Sequence, residues 1–226
     1  MSKRRGRSSK RRSQKKQNSW IIYAVVIAIV GMVFVLIASN GGVPGSAPSV
    51  AQDRLDLDPI LGEPDAPVTV IEYGAYACEA CQAFHRSGAI EQILAEYGGQ
   101  VNFSFRDFPV ISPAYDRMAA NVAQCVLDQG QNQFWAFHNA LFTAVNAPRT
   151  SENELISLAG GIDGVDQNTL DECASNDTHL RTVVYDQNRA QDLGLRSTPS
   201  FVVNGQVIIG GNPTALRQAI NAALGS

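Results

Sequence analysis

The spacing of hydrophobic residues predicts a strand, a helix and a second strand near the middle of the chain. Val68–Ile71 is a short apolar run typical of a buried strand. Apolar residues then recur at helical spacing: Phe84, Ile90, Ile93 and Leu94. Gly98 and Gly99 predict the end of that helix, and Val101–Phe105 alternates apolar and polar residues as a strand does. These elements form a predicted βαβ unit, right-handed by default. Turn-forming residues from Asp58 to Pro67 predict a loop, so the first regular element is expected after Pro67.

A helical block and a final hairpin complete the pattern. Helical periodicity recurs between about residues 114 and 193, with a capping box at Ser151–Glu154. Arg106–Pro109 is expected to turn the chain before this block. Beyond it, Asn204-Gly205 separates two apolar runs, which strongly indicates a β-hairpin. A last helix is predicted over Thr214–Leu224. The order predicts an α/β fold in which helices cover a sheet and a helical insertion interrupts it.

The N-terminal region has a different composition. Residues 1–19 form a basic tail with nine Lys or Arg and no acid, and residues 20–38 contain no charge. As a helix, the apolar segment nearly spans a hydrocarbon core of about 30 Å. We therefore expect a transmembrane helix over 20–38, then a flexible linker over 39–57 and a folded domain over 58–226. The basic flank places the N-terminus in the cytoplasm and the domain outside it, with some attraction of the tail to membrane lipid.

A cleaved signal peptide is the alternative for this region, because Ser46–Ala51 offers small residues to a peptidase. Signal-peptide apolar segments usually span about 7–15 residues, so the length favours a retained anchor.

Charge excludes one class of partner. Beyond residue 38 the remaining nine basic residues stand against all twenty-one acidic residues, a net charge of −12. An acidic domain argues against nucleic acid as a partner.

The chemistry is carried by Cys78 and Cys81, at the predicted junction of strand and helix. A thiolate at a helix start is stabilised by free backbone N–H groups and by the helix dipole. A second cysteine one turn later can attack a mixed disulfide formed on the first. A structural disulfide and half a zinc site are the alternatives. Zinc needs two more ligands, and the three histidines are scattered, so no metal is expected. They are His85, expected on the helix surface, and His138 and His179, expected to be structural.

Together with these cysteines, four motifs resemble the DsbA-like branch of the thioredoxin superfamily, the membrane-tethered bacterial thiol-disulfide oxidoreductases. The resemblance covers about residues 64–224 and is specific because the motifs occur in the family's order. They are Ile71-Glu72-Tyr73 before the cysteines; Phe105–Pro109; Gln129-Gly130 with Phe134-Trp135 and His138; and Ser197-Thr198-Pro199 leading into Phe201–Gly205.

The resemblance implies a thioredoxin-like fold and a role for each matching residue. Cys78 is the implied attacking cysteine and Cys81 the resolving cysteine. Pro199, with Thr198 before it, matches the family's cis-proline loop, which binds extended substrate. An ordinary trans turn before a strand is the alternative for that dipeptide.

Three further residues take a role only through this resemblance. Glu72 matches a buried acid that takes the proton of the resolving cysteine; the alternative is a carboxylate at a strand end that reaches solvent. Cys125 and Cys173 match a second, structural disulfide present in some tethered members; the alternative is two buried free thiols.

The pair between the cysteines departs from the family pattern. Strongly oxidising members place a Pro-His or Pro-Tyr-like pair there, whereas this chain has Glu79-Ala80. The charge of Glu79 is expected to raise the pKa of Cys78 and to lower the oxidising power, and the helix N-terminus is expected to oppose this effect.

The expected function is extracytoplasmic disulfide formation in exported proteins, without a cofactor. The expected partners are exported substrates with cysteines and a membrane redox partner that resets the cysteine pair. A reductase or isomerase, and a redox-inert polypeptide-binding module, are the alternatives.

Overall fold

The computed structural model describes residues 58–143 and 151–225. The strands are β1 (Ile60–Gly62), β2 (Val68–Gly74), β3 (Val101–Asp107), β4 (Ser200–Val203) and β5 (Gln206–Ile209). The helices are α1 (Glu79–Arg86), α2 (Ala89–Tyr97), α3 (Pro113–Leu127), α4 (Gln131–Thr143), α5 (Glu152–Gly160), α6 (Gln167–Ser175), α7 (Leu180–Asp192) and α8 (Pro213–Leu224).

The strands form one sheet in the order β1-β3-β2-β4-β5. Strands β2 and β3 are parallel, and the other neighbours are antiparallel. Every residue of β2 and β3 is buried, because helices cover both faces of the sheet. Alternate residues of β2 serve the two faces: Val70 packs in the larger apolar core, and Ile71 in a smaller one on the opposite face.

The predicted βαβ unit is confirmed, but its helix is divided. Helix α1 ends at Arg86, and α2 begins at Ala89. Gly88 lies between them with φ +67°, a left-handed conformation that glycine adopts without steric cost. The apolar spacing continues across this break because both helices pack on the same core.

Two expectations about strand limits were wrong. Strand β1 lies in the segment expected to be loop, where it pairs antiparallel with β3. Its three residues are too few to show alternation, and α4 fixes it: Trp135 Nε1–H donates to the carbonyl oxygen of Ile60 over 2.9 Å. Strand β3 continues through Arg106 and Asp107, which pair with the end of β2 instead of turning the chain.

The helical insertion and the hairpin are confirmed. The insertion comprises α3 to α7, and α5 starts at the capping box of Ser151 and Glu154. Strands β4 and β5 are joined by Asn204 and Gly205, with φ +43° and +92°, the signs that a tight hairpin turn requires. Helix α8 begins one residue earlier than expected, at Pro213.

The expected basic tail (1–19), transmembrane helix (20–38) and linker (39–57) lie outside the described residues. Within 58–143 and 151–225, none of the helices combines the length and the apolar character that crossing a membrane requires.

Candidate active site

The two cysteines lie where the first turn of α1 meets the end of β2. Cys78 is the N-cap residue of α1, and its Sγ accepts a hydrogen bond from the backbone N–H of Cys81 at 3.4 Å. Both thiols are free; Cys78 is 4% exposed and Cys81 0%. The strand-to-helix junction therefore places one cysteine at the helix start and the other one turn inside.

Asp116 fixes the residue that precedes this pair. Its Oδ1 accepts from the backbone N–H of Ala77 and its Oδ2 from that of Ser112, both at 2.8 Å. Burial raises the pKa of the Asp116 carboxyl, and the backbone hydrogen bonds oppose the shift. Asp116 lies in the first turn of α3, so the helical insertion holds the active-site loop. Sequence reasoning missed this residue because an acid in a helical first turn is common.

The loop before β4 completes the site. The peptide bond between Thr198 and Pro199 is cis. The thiol of Cys78 donates to the carbonyl oxygen of Thr198 over 3.3 Å, across a sequence separation of 120 residues. The fold thus brings Cys78 to the loop that carries Thr198 and Pro199.

The two thiols differ strongly in acidity. Hydrogen bonding with the Cys81 thiol lowers the pKa of Cys78 to about 6; burial opposes this shift, and Thr198 and the first backbone N–H groups of α1 reinforce it. Burial raises the pKa of Cys81 far above its usual value, and the Cys78 thiol and the charge of Glu72 add to that effect. Near neutral pH the Cys78 thiol is therefore the one that ionises, and Cys81 holds its proton.

The effect expected of Glu79 does not determine the net pKa shift of Cys78. Glu79 and Ala80 are exposed, so solvent screens the carboxylate. The hydrogen bonds at the helix start dominate, and the pKa of Cys78 lies below that of an ordinary cysteine, not above it.

Glu72 and His85 form a buried pair beneath α1. Glu72 is 0% exposed, so the alternative of a carboxylate that reaches solvent is wrong. His85 was expected on the helix surface; instead its side chain is 6% exposed and its Nε2 lies 2.9 Å from Oε2 of Glu72. The ring also stacks on Phe142, with centroids 4.2 Å apart and planes 2° from parallel. His85 follows Cys81 by four residues, so the two side chains lie on the same face of α1, the face that packs on the sheet.

The other histidines have packing contacts. His138 is fully buried, Nδ1 lies 3.3 Å from the hydroxyl of Tyr76, and burial lowers its pKa well below the usual value. His179 Nε2 lies 2.7 Å from Oδ2 of Asp128.

The structure contains a disulfide between Cys125 in α3 and Cys173 in α6. The two sulfurs and a ring nitrogen of His179 lie within 4.8 Å of one another. Because the sulfurs are bonded to each other, they are not available as the thiolates that a metal would need.

A family model described as "Thioredoxin" matches residues 55–222. The chain belongs to the thioredoxin family. A relative named disulfide bond formation protein D, from Bacillus subtilis, is 32% identical over 165 residues, 70% of this chain and 72% of that protein. The crystal structure of oxidised BdbD from Bacillus subtilis is 28% identical, with a TM-score of 0.67, covering 76% of this chain and 95% of that one.

A third relative is much longer than the segment that it shares with this chain. The protein named Na(+)/H(+) antiporter NhaA 1, from Mycolicibacterium gilvum, is 30% identical over 154 residues, 67% of this chain but 24% of that protein. The chain spans about a quarter of the antiporter, so the similarity concerns one segment of it.

These similarities and the free cysteine pair at the start of α1 lead to the same conclusion. The chain is a DsbA-like thiol-disulfide oxidoreductase of the thioredoxin family.

Proposed function

We propose that the protein forms disulfide bonds in exported proteins, with Cys78 and Cys81 as its redox pair. The contrast in acidity between the two thiols carries the proposal: the pKa of Cys78 is lowered to about 6, and burial raises that of Cys81. A stabilised Cys78 thiolate favours the reduced form of the enzyme, and this makes the Cys78–Cys81 disulfide oxidising. The similarity to disulfide bond formation protein D supports the same direction.

The first half of the reaction oxidises the substrate. A substrate thiolate attacks Sγ of Cys78 in the disulfide, the bond to Cys81 breaks, and Cys81 leaves as a thiolate that takes up a proton. A second substrate thiolate then attacks the substrate sulfur of the mixed disulfide, and Cys78 leaves as a thiolate. The substrate loses two electrons and the enzyme gains them. The low pKa of Cys78 makes it the better leaving group in the second step.

The second half resets the enzyme through a membrane redox partner that accepts two electrons. The Cys78 thiolate attacks a disulfide of that partner and forms a mixed disulfide. Cys81 then loses its proton and attacks Cys78, which releases the partner as a thiolate. Glu72 is the proposed acceptor of that proton; its complete burial and its electrostatic effect on Cys81 support this role.

Thr198 and Pro199 are the proposed substrate-binding residues. Support comes from the 3.3 Å contact between Cys78 and the carbonyl oxygen of Thr198, which puts this loop beside the reacting sulfur. Cys125 and Cys173 have a proposed structural role, since their disulfide joins two helices of the insertion.

The proposed location is the outer face of the cell membrane. In this arrangement residues 1–19 are a cytoplasmic tail, 20–38 a single transmembrane helix in contact with lipid, and 39–57 a linker to the domain at 58–226. The basic charge of the tail and the apolar length of the next segment support it.

The test is oxidation of a reduced, unfolded protein that contains two cysteines, with one equivalent of the oxidised full chain. We expect one disulfide to form in the substrate as Cys78–Cys81 is reduced. Cys78→Ser and Cys81→Ser are both expected to abolish the reaction, because neither variant can form the Cys78–Cys81 disulfide. When Cys81→Ser is instead given a partner that already contains a disulfide, Cys78 is expected to attack it and to accumulate as a mixed disulfide, because the variant has no resolving thiol.

The other outcomes separate the alternatives. Reduction of a substrate disulfide in preference to oxidation of its thiols would indicate a reductase or isomerase. A Cys78 that alkylates no faster than a free thiol would indicate a redox-inert polypeptide-binding module.

A further inference from the structure

Glu72 and His85 are two titratable groups buried together between α1 and the sheet. The 2.9 Å contact joins His85 Nε2 to Oε2 of Glu72. The second carboxylate oxygen of Glu72, Oε1, is buried and has no hydrogen-bond partner among the described residues. A buried carboxylate oxygen without a donor is costly, so its retention here points to a chemical use.

The resolving cysteine lies in the same region. Cys81 and His85 are one turn apart on the buried face of α1, and the charge of Glu72 contributes to the raised pKa of Cys81. Because Oε2 is occupied by His85, Oε1 is the oxygen left to take a proton from Cys81.

The surroundings of His85 hold its ring and exclude water. Phe142 stacks on it, and the rings of Phe103 and Phe105 contact it through edges at centroid distances of 6.3 and 6.4 Å. His138 from α4 is the other titratable ring in contact, at 4.7 Å, and burial keeps it neutral. Among the described contacts of His85, the charged group is therefore Glu72 from β2.

We propose that His85 is a positioning residue for the proton that Cys81 loses and regains, acting through Glu72. The proposal rests on the proposed function. When Cys81 attacks a mixed disulfide on Cys78, the proton of its thiol passes to Oε1 of Glu72. A bond forms between the sulfurs of Cys81 and Cys78, the bond from Cys78 to the partner sulfur breaks, and the partner leaves as a thiolate.

His85 contributes through its hydrogen bond to Oε2, which fixes the carboxylate so that Oε1 remains open to Cys81. Without that contact the carboxylate is free to rotate, and Oε1 is no longer held in one position. Attack by Cys81 is therefore expected to slow when the contact is lost.

The test separates the two cysteine steps with a limiting amount of an aromatic disulfide whose thiolate is coloured. The reduced full chain releases one coloured thiolate when Cys78 attacks and a second when Cys81 resolves the mixed disulfide. In His85→Leu the contact with Oε2 of Glu72 is lost, and in His85→Gln a side-chain amide can replace it. We expect an unchanged first phase in both variants, a second phase slowed by about tenfold in His85→Leu, and recovery of most of that rate in His85→Gln.

Two comparisons assign the effect. His138→Gln changes a buried histidine of the same cluster whose Nδ1 lies 3.3 Å from the hydroxyl of Tyr76, and the second phase is expected to keep its wild-type rate. In a Glu72→Gln background, adding His85→Leu is expected to slow the second phase no further, because His85 acts through Glu72.

Three results would overturn the proposal. They are a second phase in His85→Leu at the wild-type rate, an additive loss in the double variant, and the same slow second phase in His138→Gln. A first phase no faster than that of free cysteine would instead contradict the proposed function. If His85→Leu does not fold, nuclear magnetic resonance of the ring nitrogens of His85 replaces it. Their chemical shifts are expected to differ between the folded wild type and Glu72→Gln, and identical chemical shifts would overturn the proposal.

Discussion

The thiol of Cys78 lies 3.3 Å from the carbonyl oxygen of Thr198, although 120 residues separate the two in sequence. Cys78 belongs to the βαβ unit, and Thr198 belongs to the loop that returns from the helical insertion to the sheet. Cys78 therefore lies next to a backbone segment from the other half of the fold. In the proposed function, an extended substrate on that segment presents its sulfur to Cys78.

The first prediction concerns the pH dependence of Cys78 reactivity. Its pKa is lowered to about 6, so the thiolate fraction rises as pH rises through that value. We expect the alkylation rate of the reduced chain by iodoacetamide to reach half its plateau near pH 6. Cys78→Ser is expected to remove this reaction, because Cys81 keeps its proton over the same range. A midpoint at the usual cysteine value of about 8.5 would contradict the site's electrostatics.

The second prediction concerns Thr198. A hydrogen bond from the side chain of Thr198, separate from the contact with its carbonyl oxygen, helps to lower the pKa of the Cys78 thiol. Thr198→Val keeps the shape of the side chain and removes the hydroxyl, so the alkylation midpoint of Cys78 is expected to move to higher pH. Thr214→Val, at an exposed position in the first turn of α8, is the matched control and should leave the alkylation midpoint of Cys78 unchanged. An unchanged midpoint in Thr198→Val would show that the backbone of α1 and Cys81 lower the pKa without Thr198.

The third prediction concerns the disulfide between Cys125 and Cys173. The two residues are 48 positions apart, and closing a loop of that length is worth about 4 kcal/mol in the chain-entropy model. Replacing both cysteines with serine is expected to lower the free energy of unfolding by roughly 2–5 kcal/mol, measured in urea. The alkylation midpoint of Cys78 should not change, because the bridge lies within the insertion. A loss below about 1 kcal/mol would mean that the bridge contributes little to stability.

The fourth prediction concerns the ion pair of Arg106 and Asp58, which is buried at both ends and 2.7 Å long. Burial alone would lower the pKa of Arg106, but the charges and hydrogen bonds of Asp58 and Tyr73 together more than offset it. Asp58→Ala leaves the guanidinium buried without its carboxylate and is expected to cost about 3–5 kcal/mol in urea unfolding. The control, Glu96→Gln, breaks a partly exposed pair with Arg217 and is expected to cost less than about 1 kcal/mol. Equal losses of unfolding free energy in the two variants would contradict the difference expected between a buried and a partly exposed ion pair.

Much of the fold could be predicted because local patterns agree with it. The apolar run of β2, the glycine pair after α2 and the Asn-Gly turn each have a local physical cause. Strand β1 could not be found in this way, since its three residues are fixed by β3 and by Trp135 from distant parts of the chain.

In the candidate site too, some residues are recognisable from local sequence and others only from tertiary packing. Cys78 and Cys81 are recognisable from their spacing, and Thr198 and Pro199 from a family motif. Asp116 and His85 could not be assigned, because each acts on a group brought near it by tertiary packing: the backbone of Ala77 for one, and Glu72 for the other. The net pKa shift of Cys78 could not be predicted either, since the exposure of Glu79 and the hydrogen bonds of Cys78 depend on the folded structure.

The reduction potential of Cys78–Cys81, measured at equilibrium with glutathione, tests the central claim most directly. Known potentials run from about −120 mV for DsbA to about −270 mV for thioredoxin. Because the Cys78 thiolate is stabilised, we expect a value nearer to that of DsbA, as an enzyme that donates disulfides requires. A value near that of thioredoxin would contradict the proposed direction of electron flow and would indicate a reductase or isomerase on the same fold.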